Sequence, residues 1–192
     1  MMWWVMLASA GPYQMLAPAS TLDLEHSEAG AGLGYTAATE LPDQGLVSVA
    51  GWVRYGLVER VEVSGGAALP LNPVDLGVHG GVRFQPLGPE GTEPGVKGSL
   101  GAFVGTQARA LALPSVTVPV AVGYRSRVLE VFVQPSGSVY STTGGPLGAW
   151  NVEAGIAVFS TGFPLYLTAS YGAVGGVGLM GANVGGGYDM AL

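Results

Sequence analysis

The sequence predicts an all-β protein, namely an up-and-down antiparallel transmembrane β-barrel of about ten strands, with eight and twelve as alternatives. Charged residues make up only 10% of the 192 residues, whereas soluble domains average about 25%. Glycine is abundant, with 33 residues. From residue 29 onward the chain alternates between apolar and small or polar residues, with short breaks rich in Gly, Pro, Asn or Asp. That repeat is typical of membrane-spanning strands.

A helical membrane protein does not fit the sequence. A spanning helix needs about 18 or more consecutive apolar residues. The two most apolar stretches are residues 110–124, which Pro114 and Pro119 interrupt, and residues 173–187, which are saturated with glycine. Proline and glycine both disfavour helix interiors. The strands must therefore carry the hydrophobicity.

The alternating runs define ten candidate strands. The breaks near residues 41–45 and 70–74 are short, which argues against a large receptor or adhesin surface at that end of the barrel. The ten runs cover residues 29–39, 46–56, 60–69, 75–85, 96–107, 115–125, 129–140, 150–160, 165–172 and 177–192.

The alternation also predicts which face of each strand meets lipid. In the second run Val47, Val49 and Val53 share one face, and Ala50 and Arg54 share the other. A soluble barrel would leave the second face in water, but across the runs that face is mostly Gly, Ala, Ser and Thr. Such residues fit a narrow lumen, and an apolar face meets lipid without penalty. We therefore expect the apolar face outside. The large side chains expected inside are Trp52, Phe103, Phe132 and Tyr166.

Aromatic residues recur at the ends of the even-numbered strands. If both termini lie in the periplasm, these ends lie at the periplasmic membrane interface, where aromatic side chains are enriched. The predicted periplasmic aromatic girdle consists of Tyr55, Phe84, Tyr124, Phe159 and Tyr188.

The N-terminus predicts export. Residues 3–10 form a short apolar run that ends in small residues, and Ala17 and Ala19 offer a second small-x-small cleavage site. We expect residues 1–19 to be a signal segment and residues 20–192 a single barrel domain. The usual positive charges at the start of a signal are missing, and a hydrophobic N-terminal strand is the alternative.

Two segments carry a family resemblance. Residues 52–63, WVRYGLVERVEV, and residues 80–87, GGVRFQPL, each join an aromatic strand end to a short turn. They resemble the hairpins of small, poorly characterised outer-membrane β-barrel proteins of environmental Proteobacteria. The chain also ends in alternating hydrophobics at Tyr188, Met190 and Leu192, as such barrels commonly do. The resemblance implies the outer membrane of a Gram-negative bacterium, with membrane lipids and the barrel-assembly machinery as partners, and it implies no catalytic residue.

Ionisable residues of the predicted inward face form a possible charge ladder. Hairpin registers place Arg54 opposite Glu62, and Glu62 opposite Arg83. A two-residue turn places Arg125 opposite Glu130. Unpaired charges inside a narrow barrel are costly, so stability alone demands such pairs. A constriction that selects ions would use the same residues. The predicted ladder comprises Arg54, Glu62, His79, Arg83, Lys97, Arg125, Glu130 and Glu153.

Other chemistries have little support. The absence of cysteine excludes disulfides and thiolate metal sites, and no His/Asp/Glu cluster has ligand spacing, so we expect neither metal nor cofactor. The net charge of -6 argues against nucleic acid. His79 shares its face with Ser64 and with Glu62, but no nucleophile-elbow motif supports a hydrolase. We expect the protein not to be an enzyme.

Two prolines conflict with the simple pattern. Pro119 and Pro135 lie nearly opposite each other in neighbouring runs, and each removes a donor from the strand ladder. We expect a bulge or a local widening there.

Three functions remain open at this point. The first is a structural barrel or a narrow passive conduit with a charge-laddered lumen. The second is a barrel that interacts with lipids or acyl chains, as a binding protein or as an enzyme, through an opening at Pro119 and Pro135. The third is a soluble barrel that binds an apolar ligand.

Overall fold

The fold is a single closed barrel of ten antiparallel strands. The computed structural model describes residues 18–71, 76–91, 93–107, 114–142, 144–160 and 163–191, without the side chains of Gln44, Ser160 and Ala191. Each strand pairs with its neighbours in the chain, and the first strand pairs with the last. The predicted fold class and strand number are confirmed. The strands are β1 (His26–Ala38), β2 (Leu41–Val58), β3 (Val61–Pro70), β4 (Gly77–Leu87), β5 (Gly95–Gln107), β6 (Ser115–Arg125), β7 (Leu129–Thr142), β8 (Gly145–Ser160), β9 (Phe163–Val174) and β10 (Val177–Ala191).

The two ends of the barrel carry different connections. At the end that we call the terminal end, β1 begins, β10 finishes, and the β2–β3 and β6–β7 turns lie; the other end is the distal end. The distal β9–β10 turn has positive φ at both Gly175 (57°) and Gly176 (86°). Two consecutive residues of that kind form the type I′ turn that suits a two-residue hairpin.

One predicted break is wrong. Residues 41–45 belong to β2, because a register shift between Thr36 and Ala38 brings Ala38 opposite Leu41. Pro42 lies near the start of β2, where a missing amide donor disrupts little of the ladder. Residues 72–75, at the other predicted break of the distal end, lie outside the described residues. Residues 1–17 of the predicted signal segment and Leu192 also lie outside them.

The apolar face points outward, as predicted. Val49, Val53 and Val104 are exposed on the outer surface, the last with 64% of its area accessible. Trp52, Phe132 and Tyr166 are buried inside the barrel. This distribution is inverted relative to a soluble barrel and matches a barrel solvated by lipid. The third hypothesis, a soluble barrel around an apolar ligand, therefore loses its basis.

Aromatic side chains mark both ends of the outer surface. Tyr55, Phe84, Tyr124 and Tyr188 lie near the terminal end on the outward phase of their strands. Phe159 does not join them, which corrects the prediction.

Phe159 shares the inward phase of Glu153 and Ala157, and its ring packs beneath the Arg125 guanidinium, 3.7 Å from the ring centroid. A second aromatic group, absent from the predictions, lies outside near the distal end. It consists of Tyr35, Trp150 and Tyr171.

The proline pair interrupts the ladder without a bulge. Pro119 lies opposite Ser136, and pairing resumes between Val122 and Val133 in the same register. A bulge needs an extra residue on one strand, and the unchanged register leaves no place for one. The expected bulge is therefore wrong, and two strand pairs are missing instead. Within the described ranges, no helix is long and apolar enough to cross a membrane.

Candidate functional site at the terminal end of the lumen

The charged residues of the lumen gather toward the terminal end. Seven of the eight predicted ladder residues are almost completely buried, and His79 is partly buried. Glu28 and Gln85, which the ladder did not include, are buried with them. The buried ionisable side chains are Glu28, Arg54, Glu62, Arg83, Lys97, Arg125, Glu130 and Glu153.

One predicted register needs correction. Arg54 lies opposite Ser64 rather than Glu62, because the register shifts between Gly56 and Val58. The Arg54 side chain nevertheless reaches Glu62 diagonally, with Nη2 2.7 Å from Oε2 and Nε 3.0 Å from Oε1. The structure has Glu62 opposite Arg83, and Arg125 opposite Glu130, as the sequence predicts.

Arg54 is the centre of a buried network that crosses the lumen. Its Nη1 lies 3.3 Å from Glu28 Oε2 on β1. The hydroxyl of Tyr166 on β9 donates to the same Glu28 oxygen at 2.5 Å, and the indole of Trp52 donates to Oε1 at 2.9 Å. Charges this deep are stable only when hydrogen bonds satisfy most of their polar atoms, and the Glu28 carboxylate meets that condition.

The chain's own N-terminal segment fills this end of the lumen. We call residues 18–23 the plug. Arg83 Nη1 donates to the Pro18 carbonyl at 2.6 Å, and Arg54 Nη2 donates to the Ser20 carbonyl at 3.2 Å. Pro18, Ala19, Ser20 and Thr21 are all buried. The plug is thus a buried occupant of the barrel.

The plug amides are satisfied by side chains of the wall. Glu130 Oε1 accepts from the Ser20 amide at 3.0 Å, Gln85 Oε1 from the Thr21 amide at 2.9 Å, and Glu62 Oε2 from the Leu22 amide at 3.1 Å. Backbone groups that leave water need such partners. Among the described residues, the wall side chains that bond the plug come from five strands: Arg54 on β2, Glu62 on β3, Arg83 and Gln85 on β4, Arg125 on β6 and Glu130 on β7.

Lys97 has a different role from the one predicted. Its Nζ donates to backbone carbonyls of the β4–β5 connection, at 3.1 Å to Pro89 and 3.3 Å to Glu90, and also to Gly91. The Gln85 amide donates to the same Pro89 carbonyl at 2.6 Å. Lys97 therefore holds a connecting loop at the terminal end rather than pairing with a ladder carboxylate.

The rest of the lumen contains polar groups without partners. In the described part of the chain, both ring nitrogens of His79 have no hydrogen-bond partner. The Asn151 amide nitrogen is in the same state. The Glu153 carboxylate and the Tyr140 hydroxyl have no well-formed hydrogen bond, beyond a looser contact with Thr168 and Ser138, respectively. Hydrogen bonds in this region join Asn183 to Thr168 at 3.1 Å and Thr117 to Ser138 at 2.8 Å. The structure thus places His79 and Glu153 in the lumen but apart from the paired network.

Sequence reasoning missed the plug and Glu28. Glu28 lies one residue before the predicted first strand, and the alternation of residues 26–38 would have found it had the strand been extended. No comparable sequence pattern marks the plug, because residues 18–23 do not alternate between apolar and polar side chains. The predicted end of the export segment, after residue 19, also divides them.

A small space remains beside the plug. A cavity of about 80 Å³ lies between Ser20, Arg54, Arg125 and Phe159. It is polar enough to hold ordered water, but it is no passage for a larger solute. The arrangement is chemically a set of braces: guanidinium and carboxylate groups fixed by each other and by a peptide backbone.

Comparison with known proteins supports the fold alone. No protein-family model and no curated protein matches the sequence. Among solved structures, the translocator domain of the autotransporter NalP from Neisseria meningitidis aligns with a TM-score of 0.52 at 9% identity, over 97% of this chain and 93% of that chain.

Two further solved structures align less well. The outer membrane protease OmpT from Escherichia coli gives a TM-score of 0.49 at 9% identity, over 90% of this chain and 100% of that chain. Ail, the attachment invasion locus protein of Yersinia pestis, gives 0.39 at 11% identity, over 88% of this chain and 100% of that chain. The chain has the fold of membrane β-barrels. No match singles out environmental Proteobacteria, so that part of the resemblance stays a prediction.

Proposed function

We propose that this protein is a non-enzymatic outer-membrane β-barrel whose lumen is closed at the periplasmic end by its own N-terminal plug. The charged network is a brace that fixes the plug and five strands. Membrane lipids are the constant partner of the outer surface, and the barrel-assembly machinery inserts the chain.

The bonding of the plug carries this proposal. Buried side chains satisfy the plug's backbone at Pro18, Ser20, Thr21 and Leu22. A gate that opens readily would have to break these hydrogen bonds, at a cost of about 1–3 kcal/mol for each polar group left buried without its partner. A brace gains stability from the same contacts.

Among the described residues, the lumen offers no assembled catalytic group. Ser64 Oγ and both ring nitrogens of His79 make no hydrogen bond in the described part of the chain. A nucleophile needs a base within hydrogen-bond reach and a third group that orients the base. The described contacts of these two residues supply neither, which favours a non-enzymatic role.

The lipid-interacting alternative rested on a lateral opening at Pro119 and Pro135. The strands on both sides of the gap keep one register. Strands that keep one register across the gap favour a closed barrel wall. We therefore prefer the structural role to the lipid-interacting one.

Two measurements test location and closure. The protein should be recovered in the outer-membrane fraction and should migrate faster on SDS gels before heating, because a closed barrel keeps its hydrogen bonds internal. In planar bilayers the unmodified protein should give no steady current. Recovery as a soluble monomer, or a steady conductance typical of wide water-filled pores, would overturn the proposal.

A double substitution separates brace from gate. Arg54→Ala combined with Arg83→Ala removes the cations that face Glu62. If they form a brace, the barrel should lose stability, seen as a lower temperature of the gel-mobility change, because Glu62 keeps a buried charge. An unchanged transition temperature together with a new current would instead identify a gate.

A further inference from the structure

Ser20 is a buried plug residue whose backbone and side chain are both bonded to charged groups of the wall. Its amide nitrogen lies 3.0 Å from Glu130 Oε1, and its hydroxyl oxygen lies 2.6 Å from Glu130 Oε2. Arg125 Nη1 donates to that hydroxyl at 2.8 Å, and Arg54 Nη2 donates to the Ser20 carbonyl at 3.2 Å. Every polar atom of Ser20 therefore contacts a buried charged side chain.

Glu130 lacks a close cation in this arrangement. Its carboxylate is fully buried, yet the nearest ion pair, with Arg125, is 3.7 Å long. The Arg54–Glu62 pair measures 2.7 Å. A buried carboxylate is stable when a positive charge and hydrogen bonds compensate its desolvation. Two plug groups bond Glu130, the Ser20 hydroxyl at 2.6 Å and the Ser20 nitrogen at 3.0 Å. Of these two, only the nitrogen can carry a positive charge, and its distance suits an ammonium.

We propose that Ser20 is the N-terminal residue of the mature protein and that its α-ammonium group forms a buried ion pair with Glu130. A leader peptidase of the exporting membrane would hydrolyse the Ala19–Ser20 peptide bond. The oxygen of water goes to the new carboxylate of Ala19, and the released amine of Ser20 takes a proton. Small residues at Ala17 and Ala19 meet the preference of such enzymes. The inference rests on the proposed export and plug.

Cleavage at this bond removes two residues that contact the wall. Arg83 Nη1 loses the Pro18 carbonyl, but Nη2 keeps its 3.3 Å bond to Gln134 Oε1, and Glu62 still faces Arg83 across the strands. The space left by Pro18 and Ala19 adjoins the small cavity beside Ser20 and takes water. The other cleavage site of the sequence, after Ala10, would leave both residues in place. Cleavage after Ala19 and cleavage after Ala10 would therefore give mature proteins of different mass.

The intact mass of the protein purified from outer membranes gives the first test. We expect the mass of residues 20–192. A protein that begins at residue 11, or at any residue before 20, would overturn the proposal. Conductance measured on the same sample reports separately on the plug, so a failed start site and a failed closure are distinguishable.

Periodate oxidation gives the second test, because periodate converts an N-terminal serine with a free amine to a glyoxylyl group. In the folded barrel Ser20 should be oxidised at least about tenfold more slowly than after unfolding by heat in SDS, since reaction requires local opening. The conversion is followed by mass spectrometry. Equal rates in the two states would show that the amino group of Ser20 is not buried.

Two variants link that protection to Glu130. Glu130→Gln should raise the oxidation rate of the folded barrel at least about tenfold, because the ammonium loses its counter-ion, a change of about 1.4 kcal/mol. Glu153→Gln neutralises a buried carboxylate that makes no hydrogen bond or ion pair with the described plug residues, and it should leave the rate unchanged. Equal rates in both variants would overturn the ion pair. If Glu130→Gln does not fold, the oxidation rates of Ser20 in the folded and unfolded wild type still show whether its amino group is buried.

Discussion

The two halves of the lumen are built from similar residues but bonded differently. In the terminal half, Glu28, Arg54, Glu62 and Glu130 are tied to each other or to the plug. Farther from the plug, Glu153, at the middle of β8, and His79 have no ion pair and no well-formed hydrogen bond among the described residues. Both halves lie on the same inward phase of the strands. What separates them is a second set of backbone groups, supplied by the plug.

This contrast teaches that the alternation of a barrel strand sets where a charge lies but not whether it is satisfied. Removing one partner of a buried ion pair leaves an uncompensated charge, whereas a buried group that has no partner has little to lose. Substitutions in the two halves should therefore have opposite consequences.

The largest effect is expected at Arg54. Arg54→Ala should lower the free energy of unfolding by about 3–5 kcal/mol, because Glu28 and Glu62 both lose a buried cation. The measurement is urea unfolding in lipid vesicles, followed by tryptophan fluorescence. The matched control is Arg60→Ala, whose pair with Glu90 at 3.0 Å is exposed, and it should cost at most about 1 kcal/mol. Equal losses in the two variants would remove the distinction between the brace and a surface pair.

A smaller effect separates the lumen from the lipid face. Val49→Arg places a charge on the exposed outer surface near the middle of β2 and should cost about 2–4 kcal/mol in a bilayer. Ala50→Ser, one residue away on the lumen face, should cost little. The same vesicle assay measures both. Equal tolerance at the two positions would mean that the outer surface does not face lipid.

The sequence predicted the barrel well because its evidence is local. Alternation within each run is enough to place Val49 outside and Arg54 inside, and the inverted polarity is enough to choose lipid over water. The inward position of Phe159 was also predictable, because Phe159 lies an even number of residues after Glu153, which was placed inside.

Contacts between distant segments were not predictable in this way. The diagonal reach of Arg54 to Glu62 depends on a register shift at Gly56, which adds no pattern to the sequence. The plug is held by side chains from five strands, and its own residues carry no periodicity. Such a contact set is determined by closure of the barrel and not by any one segment.

Glu153, which lies beyond the plug, offers a test in which a small gain in the free energy of unfolding is expected. Glu153→Gln should leave the free energy of unfolding unchanged or raise it by about 1 kcal/mol, because an uncharged amide costs less to bury than an unpaired carboxylate. The comparison with Arg54→Ala in the same assay is direct. A loss of about 3 kcal/mol or more would show that Glu153 is as well compensated as the terminal carboxylates, and the contrast between the halves would fail.

If the lumen contributes little to the stability of the distal end, aromatic side chains on the outer surface should hold that end together. Outside the barrel, Trp150 on β8 and Tyr171 on β9 pack edge to face, with ring centroids 5.8 Å apart and planes at 62°. Aromatic pairs of this geometry contribute about 0.5–1.5 kcal/mol beyond the area they bury. We therefore expect that coupling energy from a double-mutant cycle of Trp150→Leu, Tyr171→Leu and the combined variant. Far-UV circular dichroism should follow the unfolding, because one variant removes a tryptophan. The same cycle on Tyr55 and Tyr188 serves as control and should show coupling near zero. Both face lipid at the terminal end, and neither packs against another aromatic ring of the described residues. Coupling near zero in both cycles would mean that the distal end is not held by its outer aromatic pair, and that the backbone ladder alone maintains it.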